Sequence, residues 1–266
     1  MDNTYTEPEP PPDSGAATRT FIPILLRSFL FSIGMVLSTA IISTAVLLCF
    51  PLPFAYRYKV SQLWSRFNLW WLSVTCRINY QVHGAEHIPD HPVVIMSKHQ
   101  STWETLFFQQ YLPPVAWVIK RELLWIPLFG WALYLLRPIA INRQASISSV
   151  KQVIRRGGAH LKQGQWVVIF PEGTRTAPHT RQRYGIGGAA LASQNGYPVL
   201  PVALNAGEYW PRKSFIKYPG TIKVVFGASI ETKDRSPQAI TRQVEHWIED
   251  TMAQIGCAVA NDQNNQ

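Results

Sequence analysis

A chain of 266 residues is long enough for one substantial domain with additions. Lys and Arg number 25 against 16 Asp and Glu, a formal net charge of +9 that calls for an anionic partner: nucleic acid, a membrane surface or a phosphorylated substrate. The basic residues are scattered, with no run of about five like charges and no recognised nucleic-acid motif, which weighs against nucleic acid. The 10 Trp, 12 Phe and 10 Tyr cluster toward the N-terminal half, as suits a membrane interface. Cys49, Cys76 and Cys257 have no metal-ligand spacing and form no disulfide framework, so they read as structural thiols.

Residues 1–18 are polar, Pro-rich and partly acidic, and are expected to be disordered. Residues 29–50 carry no charge over 22 positions, about the length that crosses a bilayer core. A buried core helix would also read this way, whereas the long acidic stretch before it argues against a signal peptide. Pro51 and Pro53 end the segment. Arg19 and Arg27 precede the span, and Arg57, Lys59, Arg66 and Arg77 follow it. That excess predicts an inner-membrane protein whose following domain faces the cytoplasm. Over 57–78, apolar and aromatic residues recur at three- and four-residue steps among basic ones. An amphipathic helix lying on a membrane and a helix packed on the domain core both produce that pattern.

From Asn79 short apolar strands alternate with helices. Strands are expected at 80–82, 93–96, 115–119, 139–141, 167–170, 200–203 and 222–226. Helices are expected at 102–111, 128–135, 146–162, 188–194 and 237–255. The last has Ser236 as cap, Pro237 in its first turn and Gly256 beyond its end. The alternation predicts an α/β domain with a mostly parallel central sheet of about seven strands flanked by helices, behind a membrane-anchoring N-terminal segment. The expected division is a tail over 1–18, an anchor over 19–56, an interfacial helix over 57–78, the α/β domain over 79–256 and a tail over 257–266.

Five stretches carry chemistry. In Val93-Val-Ile-Met-Ser-Lys-His-Gln-Ser-Thr-Trp-Glu104 a buried strand runs into a helix, and Ser101 and Glu104 have capping-box spacing. His99 therefore lies in a strand-to-helix turn, where open α/β sheets bind ligands. On one helix His99 and Glu104 would stand about 140° apart; with His99 outside it, the chain can fold back and bring carboxylate to imidazole. Such a pair is a general base for a hydroxyl, although a satisfied His and a Glu that only caps the helix fit the local pattern too. Next, Lys120-Arg-Glu-Leu-Leu-Trp-Ile-Pro-Leu-Phe-Gly130 sets basic residues before apolar bulk, and Ile141-Asn-Arg143 ends another strand with a cation. In Val168-Ile-Phe-Pro-Glu-Gly-Thr-Arg-Thr176 a strand runs into a loop where Gly173 permits an unusual backbone and Thr174 and Arg175 can contact phosphate, unless it is an ordinary turn with a solvated Arg. Last, Val199-Leu-Pro-Val-Ala-Leu-Asn-Ala-Gly207 holds a Pro that hints at a sheet edge or a bulge.

Together and in this order, these stretches resemble the glycerolipid acyltransferase family, in particular its bacterial 1-acylglycerol-3-phosphate acyltransferases. His99-Gln-Ser-Thr-Trp-Glu104 is similar to the family's His-x4-Asp motif, with Glu in place of Asp; Phe170-Pro-Glu-Gly-Thr-Arg175 is nearly its glycerol-phosphate-binding motif as written; Val199-Leu-Pro-Val202 resembles its last motif. The resemblance spans 95 to 207. It implies transfer of an acyl chain from acyl-CoA or acyl carrier protein to the sn-2 hydroxyl of lysophosphatidic acid, giving phosphatidic acid for phospholipid synthesis. His99 would be the base and Glu104 its orienting acid; Lys120, Arg143, Glu172, Gly173, Thr174 and Arg175 would bind the substrate phosphate. Metal and further cofactor would not be required, the partners would be membrane lipids and the two substrates, and nucleic acid would not be one. The alternatives are the same chemistry on another lysolipid, such as lyso-ornithine lipid, and a membrane-tethered lipid-binding protein without catalysis.

Overall fold

The computed structural model describes residues 14–142 and 146–263. The seven strands are β1 (Ile78–His83), β2 (Val94–Ser97), β3 (Val115–Lys120), β4 (Ile139–Ile141), β5 (Trp166–Ile169), β6 (Val199–Leu204) and β7 (Gly220–Phe226). They form one sheet in the order β1-β7-β6-β2-β5-β3-β4. All neighbours are parallel except β6 and β7, so the sheet is mixed and mostly parallel. Every strand expected from the sequence is present to within two residues of its ends.

Both faces of the sheet are covered, which is why its central strands are apolar throughout. The helices are α1 (Ser14–Leu48), α2 (Phe54–Cys76), α3 (Trp103–Tyr111), α4 (Phe129–Leu135), α5 (Ser146–Lys162), α6 (Gly187–Asn195), the single turn α7 (Ala206–Tyr209) and α8 (Pro237–Gln263). On one face Ile95, Val168, Leu200 and Ile222 pack with Leu72 of α2 and Trp103, Leu106 and Phe107 of α3. On the other, Val94, Met96, Val167 and Val199 pack with Leu161 of α5, Leu191 of α6 and Ile240, Val244 and Ile248 of α8. The alternation of Val94, Ile95 and Met96 between the two cores is the period-two pattern of a strand.

Two expectations need correction, and two open alternatives are resolved. First, α1 begins at Ser14, so it takes in the end of the stretch expected to be disordered. Second, α8 continues through Gly256 to Gln263, across the expected C-terminal tail. Gly256 is absent from the glycines with positive φ, and a glycine stops a helix when it takes the left-handed conformation. Third, α2 is part of the domain. Tyr58 Oη accepts from the Val115 amide at 3.0 Å, Gln62 Nε2 donates to the Gln109 carbonyl at 2.9 Å, and Gln109 Nε2 donates to Ser61 Oγ at 2.8 Å. Fourth, Pro201 is not on an edge: β6 lies between β2 and β7. The bulge reading holds instead. Gly227 N bonds Pro201 O, while Val199 pairs with Ile230, so two residues on β6 oppose three on the partner and the missing proline N–H falls at the slip.

Helices α1 and α2 form an antiparallel hairpin. Trp71 Nε1 donates to the Leu30 carbonyl at 3.2 Å, Asn68 Nδ2 to Ser38 Oγ at 3.0 Å, and Trp64 Nε1 to Thr39 Oγ1 at 3.0 Å. Gly34 allows the approach, since a Cβ there would meet the Trp71 indole at 2.1 Å. Ser61, Ser65, Asn68 and Thr75 of α2 are buried, while Leu63, Phe67, Trp70 and Val74 stand exposed at helical spacing, as do Phe29, Ile33, Val36 and Leu37 of α1. Within α1, Ser28, Ser32, Thr39 and Thr44 turn their hydroxyls onto carbonyls four residues back, satisfying themselves without water. Residues Ile22–Leu48, 27 residues with a mean hydropathy of 2.1 over an 18-residue stretch, are long and apolar enough to cross a membrane.

Candidate active site

His99 lies two residues beyond β2, at the edge of the sheet where β2, β3, β5 and β6 all end. Its backbone is gripped from the loop that follows β5. The amide donates to Glu172 Oε2 at 2.8 Å, and the carbonyl accepts from the Thr176 amide at 2.8 Å. Its ring lies on Phe170 with centroids 3.8 Å apart and planes 12° from parallel. The two loops that the sequence singled out separately are thus one unit.

Glu104 is fully buried in the first turn of α3. Its Oε1 accepts from the amides of Gln100 and Ser101, at 2.6 and 2.7 Å, and lies 3.9 Å from His99 Nδ1. The capping reading holds, since this carboxylate closes the turn that holds His99, and the same oxygen faces the imidazole. Burial pushes its carboxyl up to about 7, against the pull of the two amides and of Arg175. The extra methylene over Asp lets one oxygen do both. A separation of 3.9 Å exceeds a hydrogen bond, and catalytic contacts commonly tighten when substrate binds.

Glu172 is placed differently from the expectation of a phosphate-binding wall. Its carboxylate turns inward, with Oε1 2.8 Å from Lys98 Nζ and taking the Thr176 hydroxyl at 3.1 Å. A carboxylate held on a lysine and an amide has no reason to face an anion. Lys98, itself fully buried, also pairs with Glu249 of α8 at 2.8 Å, and Tyr184 Oη donates to the same Glu249 oxygen at 2.9 Å. A continuous path thus runs from α8 through Glu249, Lys98 and Glu172 to the His99 amide. The sequence offered a signal for this network, a lysine at the end of a buried strand, since a buried cation demands partners.

A cavity of about 590 Å³ opens beside His99. It is lined by His99, Thr174, Arg175 and Lys120 together with apolar Phe170, Trp117 and Leu133 and, from α1, Ile42 and Val46. Arg212 and Lys213, from the segment after α7, line it as well, and Arg212 Nη1 donates to the Arg175 carbonyl. Among the described residues none of these four cations has a carboxylate within 4 Å. Gly173, with φ +69°, turns the loop so that Thr174 and Arg175 reach the cavity. Arg143 lies outside the described residues. Arg212 and Lys213 were missed by sequence reasoning, although they also follow a strand that ends at this edge. Among the described residues, no cluster of His, Cys, Asp and Glu has the makings of a metal site.

An α/β sheet carrying a His–Glu pair and unpaired cations at its strand ends defines a class, and comparisons place the chain within it. Residues 79–205 match the family model described as Acyltransferase. The 1-acyl-sn-glycerol-3-phosphate acyltransferase of Pseudomonas aeruginosa is 46% identical over 235 residues, covering 86% of this chain and 91% of that protein. The 1-acyl-sn-glycerol-3-phosphate acyltransferase alpha of Mus musculus is 30% identical over 179 residues, covering 64% and 62%. The crystal structure of the 1-acyl-sn-glycerophosphate acyltransferase of Thermotoga maritima superposes with a TM-score of 0.75 at 21% identity, over 88% of this chain and 97% of that one. The chain belongs to the acyltransferase family.

Proposed function

We propose that the protein transfers an acyl chain from acyl-CoA or acyl carrier protein to the sn-2 hydroxyl of 1-acylglycerol-3-phosphate, forming phosphatidic acid. The observation that carries this reading is one cavity lined both by His99, which faces Glu104, with four cations lacking a carboxylate partner among the described residues, and by apolar side chains. Its volume falls within the range of small-molecule sites.

His99 Nε2 takes the proton of the acceptor hydroxyl as the oxygen attacks the thioester carbon. Glu104 holds the ring through Nδ1 and stabilises the imidazolium. The tetrahedral adduct then collapses, breaking the C–S bond, and the proton on His99 passes to the departing thiolate. The acyl group moves directly between substrates, and the step asks nothing of a metal or redox group. Lys120, Thr174 and Arg175 hold the acceptor phosphate. Glu172 and Gly173 serve by shaping the loop. Both substrates carry phosphate, which gives Arg212 and Lys213 a purpose beside Lys120 and Arg175.

The lateral wall formed by α1 suits a lysolipid that stays in the bilayer. The excess of Lys and Arg after the apolar stretch supports an inner-membrane position with this domain in the cytoplasm. Cations around the cavity favour a phosphate acceptor over lyso-ornithine lipid, whose headgroup carries an ammonium. The test uses membranes containing the full chain, from a host lacking its own enzyme. They receive labelled donor, either thioester, with lysophosphatidic acid or lyso-ornithine lipid. Labelled phosphatidic acid is expected; labelled ornithine lipid alone moves the substrate, and no transfer to either with both donors removes the enzyme reading.

A further inference from the structure

A second cavity, of about 400 Å³, lies on the far side of α4 from the first. Leu133 and Leu136 line the catalytic cavity, whereas Tyr134, Leu135 and Arg137 line this one. Three arginines enter it from three elements: Arg57 from α2, Arg137 from the turn after α4 and Arg156 from α5. Among the described residues none of the three has a carboxylate within 4 Å.

Arg57 is the telling member. It is only 9% exposed, its Nε has no hydrogen-bond partner, and its Nη1 reaches only the Phe50 carbonyl at 3.5 Å. A guanidinium buried to that degree without an acid is costly unless an anion completes it. Arg137 is held at φ +55°, a left-handed conformation that a branched-chain-free polar residue tolerates at some cost, with its guanidinium over the Phe54 ring at 5.6 Å. Planar guanidinium groups converging from several directions fit the oxygens of a phosphate.

The rim tells where that phosphate comes from. Leu48, Phe50, Leu52 and Tyr56 at the hairpin turn stand exposed, as do Trp131 and Tyr134 on α4. Aromatic and aliphatic side chains around a basic pocket are the composition of a membrane interface, at the depth of lipid headgroups. We propose that this cavity binds the phosphate headgroup of an anionic membrane phospholipid, at a site separate from the catalytic one. The lipid's chains would lie along the exposed apolar side of α1. The bound headgroup would fix the hairpin turn against α4 and α5, clamping the wall shared with the catalytic cavity. The inference needs the chain to sit at a bilayer and is independent of which acceptor it acylates.

Native mass spectrometry of the full chain released from mixed phosphatidylcholine and phosphatidylglycerol membranes tests it. Wild type is expected to retain phosphatidylglycerol with about tenfold preference. Arg137→Asn, which tolerates the left-handed backbone, and Arg156→Gln should each abolish most of that preference. Arg155→Gln removes the same charge from the same helix outside the cavity and should keep it. Equal loss in all three variants reduces the effect to general charge and overturns the site. So does an unchanged preference in Arg137→Asn and Arg156→Gln. Displacement of the retained lipid by millimolar inorganic phosphate, with no preference between lipids, would assign the pocket to a soluble anion instead.

Discussion

Glu104 couples the stability of the fold to the chemistry of the site. Its carboxyl, held at about 7 against an ordinary 4.5, gains a proton more easily in the folded chain than in the unfolded one. Protonation therefore favours folding: the contribution is complete below the unfolded value and is lost as pH rises through about 7. The active pair needs the ionised form, so kcat/KM should fall on the acid side with a midpoint near 7. Glu104→Gln keeps an oxygen for the Gln100 and Ser101 amides but cannot stabilise an imidazolium. Its kcat should drop by about 10²–10⁴-fold, and its stability should lose the pH dependence that a carboxyl titrating near 7 gives the wild type. A variant whose Tm changes between pH 6 and pH 8 just as the wild type's does contradicts that reading of the site. The sequence made the His99–Glu104 pair visible through motif order and capping spacing. It did not reveal that Glu172 turns inward, because a Pro-Glu-Gly loop says nothing about which side its carboxylate takes until Lys98 is known to be buried beside it.

Single elements show the same division. Strands β2 and β5 and helix α5 were legible because their apolar patterns match the period of the structure they form. Helix α2 was ambiguous for a physical reason. Both of its faces mix polar and apolar residues, with Ser61, Ser65 and Asn68 buried along with Leu69 and Leu72, and Leu63, Phe67 and Trp70 exposed along with Lys59 and Arg66, so hydrophobicity alone could not assign its faces. Helix α8 packs Ile240, Val244 and Ile248 into the core, and its Glu249 also reaches Lys98. That contact makes α8 a brace for the His99 turn from outside the family-model residues. Glu249→Gln is expected to lower kcat about tenfold with KM for both substrates changed little, and Glu249→Asp to restore part of it. A variant that loses only Tm, with kcat intact, would make the brace purely structural.

Across the whole molecule the hairpin and the α/β domain share one cavity, so α1 is part of its wall. Ile42 and Val46 of α1 line it. Ile42→Trp should narrow it and shift acyl-chain preference toward shorter chains, measured as kcat/KM across a donor series; an unchanged preference would mean the acyl chain lies elsewhere. The mostly parallel sheet, the long apolar helix α1 and the positions of His99, Arg175 and Lys120 at one edge follow from patterns within the sequence. The joining of α1 and α2 to the domain does not, because it rests on contacts such as Trp71 on Gly34 and Tyr58 on Val115, far apart in the chain.

The central claim is that His99 takes the acceptor proton while the acyl group passes directly between substrates. The most direct measurement follows labelled donor and lysophosphatidic acid with the full chain in vesicles, comparing wild type with His99→Gln. The account predicts phosphatidic acid from wild type and a loss of about 10³-fold or more in kcat for the variant, with an unchanged Tm and no label on the protein when acceptor is withheld. A variant that keeps its rate, or label held covalently by the wild-type chain, contradicts it.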